Sequence, residues 1–167
     1  MNFTLIGMPG SGKSCLGRIL ARKLNMVLVD TDKLIEKKYG MKLQALIDEV
    51  GVDKFRQLEQ QTLCEVEGDN LIISTGGSAV YSDIGMEHLR SVSQVIYLYC
   101  SCETVIERIG DYSKRGIVLK PGQTIRDLFD ERTPLYERYS HHCLNCDGKA
   151  FGRYQANAIK LLQSLMK

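Results

Sequence analysis

Gly7-Met8-Pro9-Gly10-Ser11-Gly12-Lys13-Ser14 decides the fold. It fits G-x-x-x-x-G-K-[ST] in full and stands between two apolar patterns of different period. Before it, residues 3–6 are a short apolar run that stops at Gly7; after it, Leu16, Ile19, Leu20 and Leu24 recur at helical spacing. Strand, glycine loop and helix in that order build a phosphate cradle. The glycines let backbone N–H groups turn inward onto phosphate oxygens, and the helix N-terminus adds partial positive charge. Lys13 is placed to bridge terminal phosphates, and Ser14 to offer its hydroxyl to Mg2+. Gly10, Ser11, Gly12, Lys13, Ser14 and Cys15 are therefore the expected nucleotide-binding residues, with ATP as the donor.

Outward from this loop, strand-like runs alternate with helical patterns. Residues 26–29 form a second apolar run, which ends in Asp30-Thr31-Asp32 and so sets two acids where a strand emerges. Asp30 is the acid best placed to serve Mg2+, through a water because that ion keeps much of its hydration. Either acid could instead cap the helix that begins near Lys33. Short helices are predicted over 34–39 and 43–50, each stopped by glycine, then a longer one with Phe55, Leu58, Thr62, Leu63 and Val66 on one face. Residues 71–74 and 95–99 read as the third and fourth strands, with a helix around 86–89 between them, and a short strand is expected near 143–146. Thr124 and Asp127 resemble a capping box, and Pro134 is predicted to bend or interrupt the helix that follows. Ala158, Leu161, Leu162, Leu165 and Met166 mark a closing amphipathic helix. The whole implies an α/β fold: three α/β/α layers around a mainly parallel five-stranded sheet of the P-loop NTPase type, with ligands at the carboxyl ends of the strands.

At 167 residues the chain has the length of one domain, and 44% hydrophobic with 25% charged residues is a globular balance. A net charge of +2 with no basic stripe argues against nucleic acid as partner. No apolar run approaches the roughly 20 residues that span a bilayer, so no membrane is expected and the location is read as cytoplasmic. The six cysteines read as reduced small residues. A zinc site at Cys143 and Cys146 beside His141 and His142 is disfavoured, because those cysteines lie in a strand-like run. A monomer is the default at this size. A guanine-reading Asn-Lys-x-Asp, an apolar strand ending in Asp-Glu, and the Asp-Gly-x-Pro-Arg of adenylate kinases are all absent.

The P-loop, Asp30-Thr31-Asp32, Phe55-Arg56-x-x-Glu59, Gly76-Gly77, a basic loop with Arg115, and Arg132-x-Pro134-Leu135-Tyr136 together resemble the shikimate kinase family over essentially the whole chain. The resemblance implies ATP-dependent phosphorylation of the 3-hydroxyl of shikimate, a place in the shikimate pathway of aromatic amino acid biosynthesis, and one domain over 1–167 with a mobile lid around 110–123. It implies Arg56 and Arg132 as the carboxylate-binding arginines, Asp32 as the acid that binds hydroxyls and takes the attacking proton, and Gly76 and Gly77 as substrate contacts. Lys13 and Arg115, the lid arginine, are implied as electrostatic catalysts. These residue types suit the task, since arginine grips a carboxylate bidentately and a carboxylate can act as general base toward a hydroxyl.

The chain departs from the family pattern at three places that bear on the site. Ser78 stands where a third glycine is usual, which puts a side chain close to the expected acceptor; Cys15 replaces a threonine; and no proline follows Arg115. The alternatives are a sister kinase for another small hydroxylated acid and, from a different class, a nucleotide-binding regulatory module without transfer activity.

Overall fold

The structure is a computed structural model that describes residues 1–110, 116–148 and 151–167. Its frame is a five-stranded parallel sheet in the order β2-β3-β1-β4-β5, built from β1 (Phe3–Ile6), β2 (Val27–Asp30), β3 (Leu71–Ser74), β4 (Gln94–Tyr99) and β5 (His142–Asn145). β1 and β3 are buried at every position, as continuous apolar runs in the middle of a covered parallel sheet should be. β2 lies at the sheet edge, and Val27 there is 58% exposed. The connection from β1 leads out past β3 to β2, whereas the connection from β3 returns past β1 to β4. The chain therefore reverses direction at the β1/β3 pair, and the crevice at the carboxyl ends of those strands is where such sheets bind ligands.

Eight helices among the described residues cover the sheet. α1 (Lys13–Leu24) follows the glycine loop, with Gly12 as its N-cap at φ 93°, a backbone conformation that favours glycine. α2 (Thr31–Tyr39), α3 (Leu43–Val50) and α4 (Val52–Cys64) gather around a small core of their own, Ile35, Leu46, Ile47 and Phe55, onto which Val118 packs. This satellite core anchors Asp32, Arg56 and Glu59 beside the sheet's β2 edge. α5 (Asp83–Val92), α6 (Cys102–Ile109), α7 (Ile125–Tyr139) and α8 (Phe151–Leu165) complete the layers, and a 3₁₀ turn (Ala79–Tyr81) precedes α5. No helix among the described residues is long and apolar enough to cross a membrane. All six cysteines are unpaired.

Three local readings need correction. α2 begins at Thr31, directly after β2, so Asp30 is its N-cap and accepts the Lys33 N–H at 3.2 Å. α6 had no predicted counterpart: its start is signalled only by Ser101, whose Oγ accepts the Thr104 N–H. α7 opens with the expected Thr124/Asp127 capping box but runs on through Pro134. Proline removes the N–H that the Asp130 carbonyl would accept. Asp130 and Pro134 are both exposed, so water can take that place.

Candidate active site

One cavity of about 790 Å³ opens at the carboxyl ends of the strands. Its donor end is the glycine loop, where Gly10, Gly12, Lys13, Ser14 and Cys15 form the wall. Ser11 is fully buried behind them, and its N–H donates to the Met8 carbonyl at 3.1 Å. Lys13 is 7% exposed, and its Nζ donates to the carbonyls of Gly7 at 2.7 Å and Met8 at 2.9 Å. Burial pushes its pKa down to about 8, against the raising influence of the Asp32 charge. The Ser14 hydroxyl donates to Asp30 Oδ2 at 3.0 Å. Asp30 thus serves the helix cap with one oxygen and Ser14 with the other, so capping does not occupy both of its carboxylate oxygens.

Two carboxylates approach the loop after β3, Asp32 from the wall of the cavity and Glu59 from an adjoining recess. Asp32 comes from α2 and Glu59, 3% exposed, from α4, and both converge on Gly76. A Cβ added at Gly76 would stand 2.6 Å from Asp32 Oδ1 and 3.0 Å from Glu59 Oε1, so only glycine lets the loop after β3 pass between them. Burial, then the neighbouring Asp30 charge, pushes Asp32 up to about 6. Burial, then the Asp32 charge, pushes Glu59 up to about 7. Ser78 lines the same cavity, but its hydroxyl turns onto Glu59. The side chain expected to crowd the acceptor is tethered to the cavity's wall.

The acceptor end is cationic. Arg132 of α7 is 2% exposed and lines the cavity beside Gly77, where an added Cβ would meet Pro9 Cδ at 2.8 Å and Arg132 Nη1 at 3.0 Å. The Gly77 carbonyl accepts the Tyr136 hydroxyl at 2.7 Å. Arg56 of α4 lines the adjoining recess, of about 120 Å³, which shares Ser78 with the main cavity. Its guanidinium stands over the Tyr81 ring, 4.2 Å from the centroid. Among the described residues neither Arg56 nor Arg132 takes part in an ion pair. A buried guanidinium with no carboxylate partner is costly to hold, and an anionic ligand relieves that cost.

The fold thus brings Gly10, Gly12, Lys13, Ser14, Cys15, Asp30, Asp32, Gly76, Gly77 and Arg132 to one cavity, with Ser11 behind it and Arg56 in the recess alongside. Arg115 lies outside the described residues; Gly116, Ile117 and Val118, which follow it, line the cavity, with Gly116 beside Leu43 of α3. Sequence reasoning assigned no role to Glu59, Tyr81 or Arg108. Arg108 reaches the donor end from α6 and is held by the Cys146 and Gly148 carbonyls at 3.1 and 3.2 Å. The helical spacing of Val105 and Ile109 could have revealed α6, and with it Arg108.

Comparison with known proteins agrees with this geometry. A family model described as shikimate kinase matches residues 9–164. A curated relative from Sulfurihydrogenibium sp., named shikimate kinase, is 38% identical over 149 residues, which cover 89% of each chain. One of the same name from Pseudomonas paraeruginosa is 38% identical over 150 residues, 88% of this chain and 87% of that one. Among solved structures, a shikimate kinase from Acinetobacter baumannii in complex with shikimate superposes with a TM-score of 0.86 at 30% identity, over 98% of this chain and 93% of that one.

Proposed function

The chain belongs to the shikimate kinase family, and from that premise we propose that it transfers the γ-phosphoryl group of ATP to the 3-hydroxyl of shikimate, giving shikimate 3-phosphate and ADP. Arg132 carries the proposal. Its buried guanidinium, free of any ion pair among the described residues, lines the cavity whose other end is the P-loop. A cyclic acid with a carboxylate at one end and hydroxyls toward the phosphates fits that polarity.

In this reading the P-loop N–H groups and Lys13 hold the triphosphate, and the Lys13 ammonium neutralises charge on the transferring group. Arg132 and Arg56 grip the acceptor carboxylate, with Gly76 and Gly77 giving it room. The Asp32 carboxylate accepts the proton of the 3-hydroxyl as that oxygen bonds to the γ-phosphorus and the bond to the ADP oxygen breaks. With its pKa raised to about 6, Asp32 is ionised at neutral pH and more basic than an ordinary aspartate. Mg2+ fits the donor end, because Ser14 Oγ and Asp30 Oδ2 are two oxygens 3.0 Å apart on the cavity wall, the ligand type that ion prefers. When bound there it would neutralise phosphate charge.

Residues 1–167 act in this proposal as one catalytic domain with a lid over 110–123 and Arg115 as its catalytic arginine, a role that rests on the family resemblance. ATP as donor and the unpaired thiols suit a cytoplasmic monomer. The test is ADP release from Mg-ATP with and without shikimate in a coupled assay. Shikimate-dependent release that saturates at or below roughly millimolar substrate supports the proposal. ATP binding with no response to shikimate sinks the acceptor assignment.

A further inference from the structure

We propose that Tyr81 is a positioning residue whose ring and hydroxyl hold Arg56 and Arg132 as a pair aimed at the acceptor carboxylate; the role in catalysis rests on the function proposed above. The two guanidinium carbons stand 4.2 Å and 5.2 Å from the centroid of the one Tyr81 ring. Both are inside the roughly 6 Å within which the ring quadrupole attracts a cation. Two arginines brought this close repel each other, and neither has an ion-pair partner among the described residues to offset that repulsion. A shared aromatic ring lowers the energy of both cations without neutralising either, so their charge stays available to a ligand. A carboxylate in Tyr81's place would hold the pair but compete with the acceptor.

The hydroxyl fixes the ring. It accepts a hydrogen bond from Arg132 Nε at 3.2 Å and donates one to Glu131 Oε1 at 2.7 Å. Glu131 is held in turn by Gln123 Nε2 at 3.0 Å. Tyr81 holds Arg132 by Nε, and Tyr136 adds a second side-chain hydrogen bond, while Nη1 lies beside Gly77 where Arg132 lines the cavity. Tyr81 itself sits on the 3₁₀ turn directly after Gly76-Gly77-Ser78, so the acceptor loop and the arginine platform form one continuous piece of chain. Arg56 comes from α4, Arg132 from α7, and Tyr81 is the group that touches both.

The test compares Tyr81→Phe with Tyr81→Leu. Leucine removes ring and hydroxyl, and KM for shikimate is expected to rise ~10-fold with KM for ATP within ~2-fold of wild type. Phenylalanine keeps the ring and is expected to raise KM for shikimate only ~3-fold. An unchanged shikimate KM in Tyr81→Leu, or equal rises in both KM values, overturns the proposal, the second because a merely structural defect would weaken both substrates. NMR of the Arg56 side-chain resonances in the free protein gives a readout that needs no acceptor. Ring-current shifts present in wild type, kept in Tyr81→Phe and lost in Tyr81→Leu support the platform; wild-type Arg56 at random-coil positions overturns it. If shikimate proves not to be the acceptor, the function proposal fails while the NMR result still decides the role of Tyr81. If Tyr81→Leu does not fold, the Tyr81→Phe kinetics and the wild-type spectrum decide it.

Discussion

The Ser78 hydroxyl lies 2.9 Å from one carboxylate oxygen of Glu59 and 2.8 Å from the other, so the residue that stands in place of the family's third glycine is tied to a buried acid. A hydroxyl can donate only one proton, and an ionised carboxylate is its strongest acceptor. Ser78→Ala should therefore cost ~1.5 kcal/mol of stability where Glu59 is ionised and less where it is protonated. Since Glu59 titrates at about 7, urea denaturation at pH 8 and at pH 5 separates the two cases. An equal loss at both would show that Ser78 acts through packing alone.

Asp32 and Glu59 make the free protein more stable on the acid side of neutrality. Their folded pKa values, about 6 and about 7, lie above the ordinary 3.8 and 4.5, so the folded state holds more protons than the unfolded chain between these limits. Stability from this pair is fully present below pH 4 and is lost as pH rises through 6 to 7, each tenfold difference in proton affinity between the folded and unfolded states being worth about 1.4 kcal/mol. Lys13 has the opposite sense in a different window: its folded pKa of about 8 lies below 10.5, so it adds stability only as pH climbs between those values. The melting temperature should fall from pH 5 to pH 7.5, and Asp32→Asn should flatten that slope. A slope unchanged in the variant would remove Asp32 as its source.

The role as base proposed for the same carboxylate predicts an acid limb on turnover. Asp32 must be ionised to take a proton, so kcat/KM for the acceptor should decline below about pH 6. Asp32→Asn keeps the shape and deletes the base; kcat should drop by ~10² to 10⁴. ATP affinity should stay within a few-fold, because the P-loop contacts lie elsewhere. An equal loss of ATP affinity would move Asp32 from the acceptor to the donor.

Much of this was legible in the sequence where one residue's local pattern was sufficient. β3 was readable because Leu71, Ile72 and Ile73 are buried on both faces, and the P-loop because its glycines, Lys13 and Ser14 work at fixed spacing along one turn. Asp30 stayed ambiguous between cap and ligand because, once α2 starts directly at the end of β2, one of its oxygens caps the helix while the other turns to the Ser14 hydroxyl. Tyr81 was silent for a different reason. Its role exists only where residues 56, 81 and 132 come together from three separate elements, and no spacing along the chain encodes that. Glu59 was named within a motif, yet its raised pKa depends on burial beside Asp32, which the fold alone creates.

Lys13 tests whether the P-loop's function and its stability are separable. The ammonium is almost fully buried and donates to the Gly7 and Met8 carbonyls, and burial drives its pKa down to about 8. Keeping that charge therefore opposes folding at pH 7, a cost that the phosphate-binding role proposed for Lys13 would explain. Lys13→Met fills similar volume without the charge, so the melting temperature of the nucleotide-free protein should stay level or rise. Its upward shift on adding Mg-ATP should disappear, together with turnover. A variant that melts much earlier would mean that the two carbonyl hydrogen bonds outweigh the burial of the charge. One that keeps the nucleotide-induced shift would count against Lys13 as a phosphate ligand.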